Sequence, residues 1–257
     1  MSLIISTQAE LLKTKRTASL WLSIIGAAII PTILFLHLTI QPGDAVKSLA
    51  ADPWKKMIMM AWQVLAVLLI PYIILISVLI PQIEFKNNTW KQVFASPQKI
   101  STIFFSKFLT IHIMICFCFI LFNVLLIISG LMVNMVNPDF TFLHRSIDWE
   151  TILRLNLKIY VSILGISAIQ YCLSLRFKNF VAPVGIGLML FIGGQVALSY
   201  HWVHVHQYPY AFPFLTYDSI MKTSGSFFEN HEWNSLGFFV IFMLIGFLDM
   251  KTRKEKG

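Results

Sequence analysis

Three histidines share the short stretch HWVHVHQY, at His201, His204 and His206. Imidazole nitrogens at this H-x-x-H-x-H spacing could ligate a transition metal. No cysteine or carboxylate stands close by at ligand spacing, and Trp202 and Tyr208 are typical of the aromatic belt where a membrane meets water. The stretch is therefore either a candidate metal site or a set of interfacial polar residues. The first alternative would make the protein an intramembrane metal-dependent enzyme.

The sequence lacks the common signatures of hydrolytic chemistry. It contains no G-x-x-x-x-G-K-[ST], no H-E-x-x-H and no G-x-S-x-G. His231-Glu232 is not followed by a second histidine at the required distance. We therefore predict no catalytic residue in this chain, no P-loop of its own and no cofactor bound by it.

Composition places the chain among membrane proteins. Of its 257 residues, 57% are hydrophobic and 12% are charged, whereas a soluble domain carries about 25% charged residues. The net charge of +8 is spread over short loops, and no recognition module accompanies it, so we predict no nucleic-acid partner. The three cysteines lie in apolar runs and form no disulfide framework.

The apolar runs predict a single all-α transmembrane domain over 1–257. A bilayer core needs about 20 apolar residues in a helix. Six stretches fit this length: 18–40, 58–80, 108–133, 155–175, 181–200 and 233–250. Residues 1–17 have apolar side chains at near-helical spacing and end in basic residues, which predicts an interfacial helix on the cytoplasmic leaflet. We expect the loop 201–232 to be partly folded or to dip into the membrane.

The distribution of basic residues predicts the orientation. Six spans put both termini on one side, and that side carries 13 lysine and arginine residues against 7 on the other. Positive charge favours the cytoplasmic side. Both termini are therefore predicted to be cytoplasmic, in a multi-pass membrane protein.

A polar, basic segment at 81–107 interrupts the apolar runs between the second and third spans. Ile83, Trp90 and Phe94 fall within about 40° of one another at 100° per residue. This spacing predicts a short amphipathic helix over 84–95, ended by Ser96-Pro97. Glu84 has two interpretations: a boundary carboxylate balanced by Lys86, or part of a contact surface for a soluble partner.

Several polar residues fall inside the predicted spans. Asn123, Gln170 and Gln195 could line a substrate path, but packing between helices is the interpretation we favour. Arg154 and Lys158 stand one helical turn apart near the outer end of the fourth span. Both are expected to extend their charged ends outward to water.

Three segments resemble the permease subunit of type-2 ATP-binding-cassette exporters, in the lantibiotic-immunity and bacitracin-resistance branch. They are AELLKTKR at 9–16, EFKNNTWKQVFASP at 84–97, and Lys107 at the opening of the third span. The second is the specific one. The six-span plan extends the resemblance over the whole chain.

The resemblance implies a domain of a bacterial inner membrane that performs no chemistry itself. The segment after the second span would be a cytoplasmic coupling helix that docks a separate ATPase, with Glu84, Trp90, Lys91 and Phe94 in the docking element. Two permeases, either two copies or a sister pair, would work with two ATPases, and the ATPases would hydrolyse ATP. The region 201–232 would form short re-entrant helices. A non-transporting membrane assembly factor stays a further alternative, which would lack the ATPase.

Overall fold

The computed structural model describes residues 2–15, 17–49, 51–87, 89–90, 92, 98–222 and 228–252, with side chains at all of these except 44, 45, 47 and 48. No strand occurs in these ranges. The α-helices are α1 Leu3–Thr14, α2 Ala18–Ile40, α3 Pro42–Leu49, α4 Pro53–Lys86, α5 Ile100–Val136, α6 Trp149–Arg176, α7 Val181–Ser199, α8 Phe212–Met221 and α9 Asn230–Thr252.

The six long helices α2, α4, α5, α6, α7 and α9 are each long and apolar enough to cross a membrane. This confirms the all-α class and the six predicted spans. Four of the helices, α4, α5, α6 and α9, run beyond the predicted ends, and polar side chains cap the beginnings of two of them. Asp52 accepts a hydrogen bond from the backbone N–H of Lys55 at the start of α4, and Asp148 does the same for Thr151 at the start of α6.

The predicted helix over 84–95 is wrong at its beginning. Helix α4 continues through Pro81 and ends at Lys86, so Glu84 lies in the last turn of the second span. Packing against neighbouring helices lets a membrane helix continue past a proline. Residues 93–97, including the predicted stop at Ser96-Pro97, lie outside the described residues.

Helix α4 is the centre of the bundle. In its most apolar window 67% of the residues are buried, against 17% in α7. It packs against α2 and α5 on one side and against α6, α7 and α8 on the other. The apolar surface left exposed on the outer helices is what lipid would cover.

The described residues between α7 and α9 form helical turns, as expected for a partly folded loop. It contains the 3₁₀ turns Val205–Gln207 and Pro209–Ala211, followed by α8. The hydroxyl of Tyr208 donates to the carbonyl of Leu190, which stands halfway along α7, so the chain turns back alongside the helix it has just left.

The two ends of the bundle are distinct. We call the end that carries α1, the last turns of α4, α6 and α9, and the first turns of α5 the terminal face. There Arg176 pairs with Asp249 at 2.8 Å. The opposite end, which carries α8 and the first turns of α6 and α9, is the loop face.

Candidate functional site

Lys107 is at the centre of a buried ion network on the terminal face. Its side chain, on the second turn of α5, has no exposed surface. Its Nζ lies 2.6 Å from Oε1 of Glu84 and 2.9 Å from Oε2 of Glu10. A buried ammonium is stable only when paired and hydrogen-bonded, and here two carboxylates from two other helices supply the partners.

Lys13 closes the network on its outer side. Its Nζ lies 2.7 Å from Oε1 of Glu10 and 2.9 Å from Oε1 of Glu84. Two lysines and two carboxylates thus alternate, with no net formal charge. We call Glu10, Lys13, Glu84 and Lys107 the terminal-face network. It joins α1 to the end of α4 and the beginning of α5.

The pKa shifts in α1 agree with charged partners. Burial by itself raises the pKa of Glu10, but Lys107 and Lys13 outweigh this and hold the pKa below its ordinary value of 4.5. Burial by itself lowers the pKa of Lys13, and the two carboxylates bring it above the ordinary 10.5. Both groups are therefore ionised at neutral pH.

Trp90 connects the segment after α4 to this network. Lys107 Nζ lies 5.5 Å from the centre of the Trp90 ring, within the range of a cation–π contact. The Phe85 and Trp90 rings pack with centroids 5.0 Å apart. Trp90 is only 7% exposed and its ring contacts Lys107, so a displacement of this segment would also displace the side chain of Lys107.

Neutral polar contacts extend the junction between α1 and α5. The hydroxyl of Ser6 bonds to Ser106 at 3.1 Å and to the side-chain oxygen of Gln98 at 3.3 Å. A polar cleft of ≈600 Å³ lies beside the network, lined among others by Thr17, Asn87, Thr89 and Gln92.

Helix α1 has its polar face toward the protein and its apolar face outward. Its buried residues are all polar: Ser6, Thr7, Glu10 and Thr14. Its exposed apolar residues are Leu3, Ile4, Ile5 and Leu12, at 41–70% exposure. This is the reverse of a helix on a soluble protein, and it fits a helix with lipid on its outer side.

The residues proposed for docking have different positions in the structure. Glu84 and Trp90 are both buried and meet through Lys107, whereas Lys91 and Phe94 lie outside the described residues. Glu84 pairs with Lys107 and Lys13. Its charge is therefore balanced by these two lysines and not by Lys86, and at 1% exposure Glu84 lies beneath the surface that a soluble partner could contact.

The histidines of HWVHVHQY are not brought together. His201 is exposed with φ 49°, His204 packs edge-on against Trp202, and His206 lies 6.2 Å ring to ring from His231. Among the described residues, no three histidine, cysteine or acidic side chains are grouped to hold a metal ion.

Polar residues inside the spans mainly join helices. Asn123 donates to the side-chain oxygen of Asn156, and Gln170 donates to the hydroxyl of Tyr210. Gln195 Nε2 is buried without a hydrogen-bond partner in the described part of the chain. The sequence did not single out His112, which contacts the hydroxyls of Tyr160 and Ser167.

Lys158 departs from its prediction. It does not extend to water: it is 2% exposed and lies 3.5 Å from Glu232 on α9. One signal in the sequence favours this pairing, since an ionisable residue inside a span usually faces the bundle interior and has a partner. The identity of the partner, Glu232, could not be predicted from local sequence because 74 residues separate the two positions.

A comparison with protein-family models matches residues 6–194 to the ABC-2 family transporter protein model. Neither a curated protein nor a solved structure gave a significant match. The matched region contains all four residues of the terminal-face network and most of the six spans. Proteins of this family are membrane components of transporters that work with an ATPase subunit, and they are not enzymes themselves. The chain therefore belongs to the ABC-2 transporter family, as a multi-pass transmembrane subunit of an ABC transporter.

Proposed function

We propose that this subunit is the permease of an ATP-driven exporter that moves amphipathic or peptide-like compounds, in the branch that confers lantibiotic immunity or bacitracin resistance. The family membership supports the transporter role. The segments at 9–16 and 84–97 support the branch and, through it, the substrate class and the direction of transport.

We place the terminal face in the cytoplasm of a bacterial cell. The excess of basic residues on this side supports the orientation. Helix α1 supports it too, because its exposed apolar side chains would enter the cytoplasmic leaflet while Lys13 and Lys15 stay near the lipid head groups. The apolar faces of the six long helices would contact lipid and a second permease, which is either another copy or a sister chain.

The observation that carries the proposal is the terminal-face network. A separate ATPase would dock on the segment after α4, where Lys86, Asn87 and Gln92 are exposed and where Lys91 and Phe94 belong to the proposed docking element. Trp90 and Glu84 lie beneath that surface. Closure of the ATPase on ATP would press this segment, and the network would carry the movement into α1, α4 and α5 together.

The experiment is an affinity purification of the tagged protein from native membranes in mild detergent, followed by mass spectrometry. We expect a stoichiometric P-loop ATPase to accompany the wild-type chain. Trp90→Ala and Glu84→Gln should weaken that association or uncouple transport while insertion into the membrane is retained. Asp249→Asn is the matched control, because it neutralises a carboxylate of an exposed ion pair on the same face.

The outcomes separate the alternatives. If no ATPase accompanies the chain even after chemical crosslinking, the exporter function is rejected. The alternative of a non-transporting membrane assembly factor is then favoured. If the ATPase is present and Trp90→Ala behaves like Asp249→Asn in both association and transport, the ATPase docks elsewhere.

A further inference from the structure

The loop face contains a second buried ion pair, Lys158 and Glu232, which differs from the terminal-face network. Lys158 on α6 is 2% exposed and Glu232 on α9 has no exposed surface. Their nearest charged atoms are 3.5 Å apart, longer than the roughly 2.7–2.9 Å of a charge-assisted hydrogen bond. Oε1 of Glu232 has no hydrogen-bond partner within the described residues. The two charges are buried together but incompletely satisfied.

The contrast with the terminal face lies in the distances and in the number of partners, since Oε2 of Glu84 is likewise buried without a hydrogen-bond partner within the described residues. All four contacts of the terminal-face network measure 2.6–2.9 Å. Within the described residues Lys107 has two carboxylate partners, whereas Lys158 has one, at a longer distance. Burying an ion pair costs desolvation free energy that only close contacts and further hydrogen bonds repay. The pair on the loop face is therefore the weaker of the two junctions.

The first turns of α9 hold several elements together around this pair. Oε2 of Glu232 accepts the backbone N–H of Glu229, ahead of the helix. His231 Nε2 lies 2.9 Å from the hydroxyl of Thr216 on α8. The hydroxyl of Ser235 donates to the carbonyl of Val161 on α6. A movement of these turns away from α6 would therefore also displace α8.

We propose that the Lys158–Glu232 pair is the releasable contact of a gate on the loop face, formed by α6, α8 and the first turns of α9. This inference rests on the proposed function, since a gate requires a transport path. Glu232 is only two residues beyond the start of α9, and Lys158 has a long flexible stem. Both charges would reach water when the helix ends separate, and their hydration would compensate for the lost contact.

A cavity adjoins the gate on the loop face. It measures ≈380 Å³, and its lining includes His206, Asp218, Glu229 and His231. His231 contributes to this cavity and immediately precedes Glu232. When α9 tilts, the buried pair would open toward this cavity. Apolar residues at positions 158 and 232 would hold the two helices together without the free-energy cost of desolvating charges. A buried ion pair is the weaker contact, and this suits two helix ends that have to separate.

The test measures whether the contact between α6 and α9 opens. Ser235→Cys is the reporter and is present in every variant compared, since Ser235 has no exposed surface between the two helices and the loss of its hydroxyl contacts to α6 is then common to all of them. Intact cells or proteoliposomes receive a membrane-impermeant maleimide, and mass spectrometry quantifies the label at position 235. Glu232→Gln removes one charge at nearly constant size. Glu150→Gln is the matched control, an exposed carboxylate on the same face.

We expect Glu232→Gln to increase labelling about tenfold or more, because loss of one partner of a buried pair shifts an equilibrium by at least that factor. Glu150→Gln should leave labelling unchanged. The swapped variant Lys158→Glu with Glu232→Lys should return labelling toward the rate of the chain that carries only Ser235→Cys, which also shows that the protein is folded. Labelling that is equal in Glu232→Gln and Glu150→Gln would overturn the gate.

A second arm uses the complex with its co-purified ATPase in nanodiscs. Addition of ATP and Mg²⁺ should increase labelling at position 235 in the chain that carries only the reporter substitution. If ATP is hydrolysed but labelling does not change, the pair is a fixed structural contact and the gate is overturned. The proposed exporter function is tested independently of the labelling: it fails if no ATPase accompanies the chain in the affinity purification.

Discussion

The Nζ of Lys107 lies 2.6 Å from Oε1 of Glu84, and these side chains are 0% and 2% exposed. The contact fixes the beginning of α5 to the end of α4, the two helix ends that flank the segment after α4. Glu10 adds α1 to the same point. Any force on that segment therefore acts on three helices at once.

We predict that Lys107→Ala destabilises the protein by about 3–5 kcal/mol, because it leaves two carboxylates buried with Lys13 as their one lysine partner in the network. Thermal unfolding of the purified protein in detergent measures the loss. Lys107→Arg retains the charge and should lose less.

The matched control for this substitution is Lys99→Ala, since Lys99 is exposed and immediately precedes α5. Surface substitutions of this kind usually change the free energy of unfolding by less than about 0.5 kcal/mol. Equal unfolding temperatures for Lys107→Ala and Lys99→Ala would show that the network adds no stability.

Stability should depend on pH through α1. The pKa of Glu10 is lowered by folding, so its contribution is complete above 4.5 and is lost as the pH falls through the depressed value. The pKa of Lys13 is raised, so its contribution is complete below 10.5 and is lost as the pH rises through the elevated value. We expect a plateau between these limits.

The measurement is the unfolding temperature as a function of pH for the wild type and for Glu10→Gln. The variant should lose less stability than the wild type on acidification, because the group whose pKa is depressed has been removed. Parallel curves for the two proteins below pH 4.5 would rule out Glu10 as a source of the acid sensitivity.

Gly187→Ala should destabilise the contact between α7 and α6. A Cβ at position 187 would collide with the side-chain amide of Gln170 and would lie 2.9 Å from a methyl group of Ile74. Gln170 is fully buried and donates to Tyr210, so it cannot move aside without losing that bond. Overpacking of this kind costs about 1–3 kcal/mol.

Gly185→Ala is the control in the same helix, because a Cβ there meets no atom within 4 Å. Alanine is the better helix former, so this variant should be as stable as the wild type or more stable. The measurement is the unfolding temperature of the two variants. An equal decrease in both would mean that alanine disturbs helix α7 itself, and not the packing against Gln170.

The sequence predicted the spans well because long apolar runs leave few alternatives in a bilayer. It did not predict the helix ends, since the polar caps Asp52 and Asp148 lie outside the apolar windows. The sequence shows three separate features, the segments at 9–16 and 84–97 and the residue Lys107. Their convergence depends on tertiary packing, and no local pattern shows that Glu84 prefers Lys107, 23 residues away, to the neighbouring Lys86.

Lys158 illustrates the same limit. Near the end of a predicted span, a lysine that reaches the water and a lysine that pairs inward have identical local sequences. The partner decides between them, and Glu232 lies beyond two further helices, α7 and α8.

The arrangement around Lys107 also bears on the order of synthesis. Glu10 and Glu84 both precede Lys107 in the chain, so both carboxylates are synthesised before the lysine with which they pair. A lone ammonium is costly inside a bilayer. Because its two counterions are made first, the third span can enter the membrane with its charge already neutralised. A chain that lacks α1, and with it Glu10, would have to insert the same span with one counterion missing.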